Sequence, residues 1–348
     1  MSVEVRLETL TLALRDPFRI ARTEHGRGST STTVVAEVRD PRWPDVIGLG
    51  EGFPDRFYGE TPATMAAVAP LLVEAVGEFE PSAAGLTAAA ERAAGAIRGH
   101  GAAKCAVDTG LHDLAGKIRG LPVRELIGLT GPIPPTDFTL GLDEPAVVAE
   151  RARRAARFPA LKIKVGGPAD LATLEAVRAV YDGPIRVDAN TGWTRDDAER
   201  LLPRLVELGV ELLEQPFPAK AHLDLAWLQE RSSLPIVADE SAVFPDDLEG
   251  LVGVVAGINV KLAKCGGIAP ARRMLEVARE LGFRTFLGCM EETSIGIAAS
   301  VVVAPLAEWL DLDGSLLLAD DPYTGLELDD ACRWRPPDGP GLGIAMRA

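Results

Sequence analysis

The chain has 348 residues, with 36 Lys and Arg against 51 Asp and Glu, giving a formal charge of −15. Apolar residues make up 47% and charged residues 25%, a globular mix that excludes wholesale disorder and suffices for a large core. So acidic a balance excludes a nucleic-acid surface and docking on an anionic membrane, since both need an excess of Lys and Arg.

Residues 1 to about 40 hold two runs of period-2 alternation, Val3–Leu7 and Thr33–Val38, which predict strands pairing as a hairpin. The stretch Arg19–Ser31 between them, rich in Arg, Gly, Ser and Thr, reads as a mobile loop. Gly48-Leu49-Gly50-Glu51-Gly52-Phe53 lacks the last glycine of a dinucleotide-binding loop, and no Walker motif occurs. Residues 62 to 120 read as helical, starting at the cap-and-proline pair Thr61-Pro62 and including an Ala-rich stretch from Gly101 to Lys117. Strands followed by helices indicate an α+β domain over residues 1–125.

From about residue 137 short β-branched runs alternate with amphipathic stretches such as Pro145–Arg157 and Thr194–Leu208. The strands read are Phe138–Leu142, Ala160–Val165, Ile185–Asp188, Glu211–Glu214, Ile236–Asp239, Ile258–Lys261, Arg284–Leu287 and Trp309–Asp313. Eight such units predict an α/β fold, a TIM-type barrel over residues 126–320. An open doubly wound sheet fits less well. Residues 321–348, rich in Pro and Gly, are expected to pack back on the first domain.

Four cysteines (Cys105, Cys265, Cys289, Cys332) form no CxxC and no zinc-type spacing with histidine, which suits a reducing compartment. The first ten residues lack the apolar run of a signal peptide. The longest apolar run, Ile295–Leu306, contains Pro305 and is too short to span a bilayer. A cytoplasmic homo-oligomer is expected.

Charged residues recur at the predicted strand ends: Lys162 and Lys164, then Asp188, Glu214, Asp239, Lys261, and finally Asp311 and Asp313. From Lys164 to Lys261 the interval stays between 22 and 26 residues, one per βα unit, which puts all of them at the C-terminal mouth of the barrel. Any single acid here reads most simply as a helix cap, and any single lysine as solvated. Several in phase do not, because a lysine inside an apolar strand is costly to bury without carboxylate partners. Asp188, Glu214 and Asp239 offer only oxygen, which favours Mg²⁺, with Mn²⁺ as a substitute. A substrate carboxylate on that metal would have its enolate stabilised, and lysines on strands two and six stand on opposite sides of the mouth. The dication and a second ammonium would lower a lysine's pKa, so that Lys164 and Lys261 could remove a proton from one face of a carbon and return it to the other.

With this pattern the sequence resembles the muconate-lactonizing subgroup of the enolase superfamily along nearly its whole length. Lys162-Ile163-Lys164 matches the family's KxK, Asp188, Glu214 and Asp239 its metal ligands, and Lys261 its opposing base. Asp311-Leu312-Asp313 resembles the DxD of dipeptide epimerases, which implies that these aspartates hold the α-ammonium of a dipeptide whose C-terminal residue is epimerised. The resemblance further implies that Lys162 stabilises the enolate, and that loop 19–31 and Glu51–Glu60 close over the substrate. Arg19, Arg22 and Arg27 lie in that loop; Arg22 is taken as a substrate contact, together with Met290 from the segment Cys289–Ser294. Thr191 departs from the family, which commonly carries Gln there. The same scaffold would serve an o-succinylbenzoate synthase, a muconate cycloisomerase or an N-acylamino-acid racemase. A non-catalytic ligand-binding barrel is the reading from another class.

Overall fold

The structure is a computed structural model and describes residues 2–22 and 28–347. Arg27 and His25 lie outside the described residues. Three antiparallel strands, β1 (Glu4–Ala13), β2 (Thr30–Arg39) and β3 (Ile47–Gly52), form the first sheet in the order β1-β2-β3. The predicted hairpin is present. β3 is an addition, built from the glycine-rich run weighed above only as a nucleotide loop.

Its composition has a packing cause. Gly48, Gly50 and Gly52 share one face of β3, and a Cβ on them would overlap the carbonyl oxygens of Gly110, Ala106 and Ala102 respectively. Those three lie four residues apart, on one face of α3 (Gly101–Arg119). Glycine on the strand therefore lets sheet and helix approach to backbone contact. Before α3 come α1 (Pro62–Val76) and α2 (Ala83–Ala96). Thr61 caps α1 by accepting from the Thr64 N–H at 3.1 Å, with proline in the first turn.

After α4 (Val123–Leu126) the chain winds a parallel barrel. Its strands are β4 (Phe138–Leu140), β5 (Leu161–Lys164), β6 (Ile185–Asp188), β7 (Val210–Glu214), β8 (Ile236–Ala238), β9 (Gly257–Lys261), β10 (Arg284–Gly288) and β11 (Trp309–Asp311). Every boundary falls within two residues of the sequence reading. The strands run shorter where side chains take up backbone donors: the Asp239 N–H goes to Gln215 Oε1 (2.9 Å), which ends β8. The seam closes through a parallel bridge between Thr136 and Leu310.

The crossovers carry α5 (Pro145–Arg154), α6 (Asp170–Arg178), α7 (Arg195–Glu207), α8 (His222–Arg231), α9 (Leu262–Cys265), α10 (Ile268–Glu280) and α11 (Ser294–Val303), and α12 (Gly314–Leu317) follows the last barrel strand. Their buried faces join the first domain in one hydrophobic core. The C-terminal segment returns to the first domain: Gly341 bridges Pro122, and the Leu342 N–H donates to Asp113 of α3 at 2.7 Å. Among the described residues no helix is long and apolar enough to cross a membrane.

Gly50→Ala forces a methyl group against backbone and is expected to cost more than about 3 kcal/mol. Gly95→Ala in α2 meets open space and should instead gain up to about 1 kcal/mol. Denaturant unfolding of the two variants checks this contrast in sign.

Candidate active site

Strand register assembles the mouth. Lys164 on β5 pairs with Asp188 on β6, and Asp188 with Glu214 on β7. Across the barrel, Lys261 on β9 is level with Gly288 on β10, and Gly288 with Asp311 on β11. β5 and β9 are four strands apart in a ring of eight, so Lys164 and Lys261 face each other. A side chain at position 288 would press on Asn259 and on the Lys261 chain, so glycine leaves Lys261 its path.

The site is a lattice of buried opposite charges. Lys164 Nζ stands 2.6 Å from Asp188 Oδ2, and Lys261 Nζ 2.9 Å from Asp239 Oδ2. Lys162, deeper in the barrel, pairs with Asp311 and reaches Glu214 at 3.3 Å and Asp188 at 3.7 Å. Burial opposes the charge of Lys162, but Asp311, Glu214 and Asp188 outweigh it and hold its pKa well above the ordinary lysine value. Lys261 is also raised: desolvation works against its charge and Asp239 overcomes it. The protein groups alone thus set the opposite sign from the lowered lysine pKa expected from sequence.

Carboxylate oxygens of Asp188, Glu214 and Asp239 lie within 4.8 Å of one another, all buried. Crowding shows in Glu214, pushed up to about 7 by burial and by the nearby Asp188. Three buried carboxylates converging on one point, with no sulfur or imidazole among them, fit a hard divalent cation.

Asp311 and Asp313 lie at the seam, both buried. Asp311 Oδ1 accepts from the Thr139 hydroxyl at 2.7 Å while its other oxygen holds Lys162. Asp313 accepts the Thr139 N–H at 2.6 Å and is pushed up to about 8 by burial and by Asp311. Asp311 is therefore committed to Lys162, whereas Asp313 forms no ion pair among the described residues.

A cleft of about 570 Å³, counting space open to solvent, joins Lys164, Lys261, Asp239, Asp311 and Asp313 to Arg22 and Met290. Phe53, Asp55 and Tyr58 line it from the first domain, and Cys289 and Glu291 from the loop after β10. Arg22 is ion-paired with Glu240, donates to the Asn190 carbonyl at 2.9 Å and stacks on Phe57 at 4.3 Å. Arg19 pairs instead with Asp143, at 3.0 Å. His112 is buried in α3, its Nδ1 at 2.8 Å from the Asp108 carbonyl, so packing describes it.

Sequence reasoning missed several supports. Lys264 is buried against Asp239 and hydrogen-bonded to the carbonyls of Asp239 (2.7 Å), Asn259 (2.9 Å) and Ala242 (3.1 Å). Asn259 Nδ2 donates to Glu214 at 2.7 Å. Neither sits at the strand-end phase that marked the others. Glu240 was legible in principle, as the second acid of Asp239-Glu240. Left-handed backbone at Asn190 (φ 42°), Thr191 (φ 68°) and Gln215 (φ 34°) follows β6 and β7 directly. For the β-branched Thr191 this is strained, and its N–H bond to the Gln215 carbonyl (2.8 Å) helps hold it.

A parallel barrel preceded in the chain by an antiparallel-sheet domain, with a carboxylate triad at its mouth, is the architecture of the enolase superfamily. The chain belongs to the mandelate racemase / muconate lactonizing enzyme family: residues 2–128 match its N-terminal domain, and residues 146–348 the enolase C-terminal domain-like family. It is 37% identical to the L-Ala-D/L-amino acid epimerase of Pedosphaera parvula over 99% of this chain and all of that one. It is 42% identical to the L-Ala-D/L-Glu epimerase of Bacteroides thetaiotaomicron over 70% of this chain, spanning 64% of that relative's length. The crystal structure of the Enterococcus faecalis dipeptide epimerase complexed with Mg and L-Leu-L-Tyr superposes with a TM-score of 0.89. It shares 32% identity, over 99% of this chain and 100% of that one.

Two outcomes follow. Mg²⁺ at a hundred times its Kd should stabilise the protein by about 2.7 kcal/mol, and Glu214→Gln should abolish that shift in calorimetry. Separately, between about pH 4 and pH 8 the folded chain keeps a proton on Asp313 that the unfolded chain has lost, so this carboxyl costs stability as pH rises through that window. Metal-free Asp313→Asn should therefore melt about 2–5 °C above wild type at pH 8, with the gap closing toward pH 4.

Proposed function

We propose that this protein is a Mg²⁺-dependent dipeptide epimerase that inverts the α-carbon of the C-terminal residue. The observation that carries the reading is the pair Lys164 and Lys261, facing each other across one cleft with Asp311 and Asp313 at its third side. The relatives and the liganded Enterococcus faecalis structure support dipeptides as the substrate class. In this reading the catalytic barrel is residues 126–320, covered by a cap made of residues 1–125 and 321–348. The contacts of Gly341 with Pro122 and of Leu342 with Asp113 support that division.

Asp188, Glu214 and Asp239 would hold the metal, and Mn²⁺ would suit the same oxygens. Bound Mg²⁺ supplies positive charge that offsets the negative charge growing on the substrate carboxylate as the α-proton leaves. The chain's own groups do the rest. Asp313, steadied by the Thr139 N–H, gives up its proton to solvent as the α-ammonium arrives and pairs with it as a carboxylate, and Asp311 closes that corner while holding Lys162. Lys162 contributes fixed charge at the carboxylate end of the substrate. One of Lys164 and Lys261 takes the proton from its face of the α-carbon, and the other, as an ammonium, donates from the opposite face. The enolate between these steps is planar at that carbon, so the face of reprotonation decides the configuration. Arg22 and Met290 meet the substrate side chains from the cap and from the loop after β10. Four buried, unpaired cysteines support a reducing compartment, and with it the cytoplasm.

A dipeptide library in D₂O with Mg²⁺, read by mass spectrometry, should show one deuterium entering the C-terminal α-carbon. No exchange in any dipeptide would sink the proposal. Lys164→Ala and Lys261→Ala should each lower epimerisation by at least about 10³-fold, each still exchanging the α-proton of one epimer. Asp313→Asn separates the related chemistries: it should abolish turnover of free dipeptides, while an N-acylamino-acid racemase or a dehydratase would keep its activity.

A further inference from the structure

One motif is left unused by the proposed chemistry: Gly48-Leu49-Gly50-Glu51-Gly52-Phe53. Side chains alternate along a strand, so the glycines of β3 face α3 and Glu51 points the opposite way, toward the barrel. It is 1% exposed and accepts four hydrogen bonds. Oε1 takes the Thr293 N–H at 2.9 Å and the Thr33 hydroxyl at 2.8 Å. Oε2 takes the Gly296 N–H at 2.8 Å and the Thr293 hydroxyl at 2.6 Å.

Thr293 and Gly296 belong to the start of α11, whose first N–H groups have no partner within the helix. A carboxylate from another domain supplies one. The loop that ends at this helix start is Cys289–Thr293, which brings Cys289, Met290 and Glu291 to the cleft. The cap grips it a second time, as the Ser31 hydroxyl donates to the Glu291 carbonyl at 2.8 Å. The same loop abuts the DxD segment: Cys289 Sγ accepts the Gly314 N–H at 3.3 Å, and a Cβ on Gly314 would overlap the Met290 carbonyl.

We infer that Glu51 is a positioning residue, through which the cap sets the cleft wall Cys289–Thr293 that faces the substrate's side chains. Glu51 does not itself line the cleft and is not one of the three converging carboxylates. Its effect is on the fit of the dipeptide rather than on proton transfer. The inference rests on the epimerase reading for what the substrate is, and on the hydrogen bonds alone for what Glu51 holds.

Glu51→Gln is the sharp test, because each carboxylate oxygen accepts a backbone N–H of the loop or helix. Whichever way the amide lies, its NH₂ faces one of those donors. KM for the best dipeptide of the library should rise about tenfold, with kcat within about threefold of wild type and the Mg²⁺-induced rise in melting temperature retained. Amide exchange should quicken at residues 289–296. Should Glu51→Gln fail to fold, Thr293→Val removes the hydroxyl bond to Glu51 together with the cap on the Ile295 N–H (3.2 Å) and should raise KM in the same sense, while Thr293→Ser, which keeps both, restores wild-type KM. Wild-type KM in both Glu51→Gln and Thr293→Val, even with lowered melting temperatures, makes Glu51 a stabilising residue only and overturns the inference. A wild-type enzyme inert to every dipeptide overturns the epimerase reading instead. Hydrogen exchange needs no substrate and then still decides the clamp: unchanged protection at 289–296 in Glu51→Gln overturns it.

Discussion

A lysine ammonium is costly to keep out of water without a carboxylate beside it, and this constraint organises the barrel mouth. Lys162, Lys164, Lys261 and Lys264 are all buried, and each has an acid in contact. Asp239 stands between Lys261 and Lys264, and Asp311 is held by Lys162 and Thr139. Removing one member would strand its partner in a medium that solvates it poorly, which costs more than the pair itself contributes. The lattice therefore holds each charged atom in place before any ligand arrives. That is what the proposed proton transfer between two facing lysines requires.

The lattice needs an enclosed setting, and the cap provides it through close packing. The glycine face of β3 against the small-residue face of α3 removes the space a side chain would fill. α3 is buried along most of its length and reaches the barrel, where the Asp108 carboxylate accepts the Ile268 N–H at 2.6 Å, at the start of α10. Glu51 does the same for α11, and Asp321 accepts the Ser294 N–H beside it at 2.9 Å. Cap and C-terminal return thus dock by satisfying donors that barrel helices leave open. Burial raises the pKa of both Asp108 and Glu51, a cost offset by the N–H groups they receive.

The barrel strands and the in-phase charges were legible in the sequence because both depend on short-range rules. A buried parallel strand is an apolar run, and a functional residue at its C-terminal end recurs once per βα unit. Lys164, Asp188, Glu214, Asp239 and Lys261 keep that phase, so their gathering at one rim followed from counting. β3 was not legible, since three glycines in six residues argue against a strand until the helix they pack on is known. Lys264 and Asn259 escaped for the complementary reason: each serves a partner on another strand, and nothing local distinguishes Lys264 from a solvated lysine.

The amino-acid sequence by itself determined the eightfold alternation, the ligand chemistry of the triad and the opposition of two lysines, because periodicity and residue type carry these. Only the tertiary structure decided how the charges are shared out. Asp311 goes to Lys162, Asp313 to the Thr139 N–H, and Arg22 reaches the cleft while paired with Glu240. Glu51 reaches across to the loop that walls the cleft. Those assignments turn on distances of a few ångströms between residues as many as 245 positions apart, which no local pattern encodes.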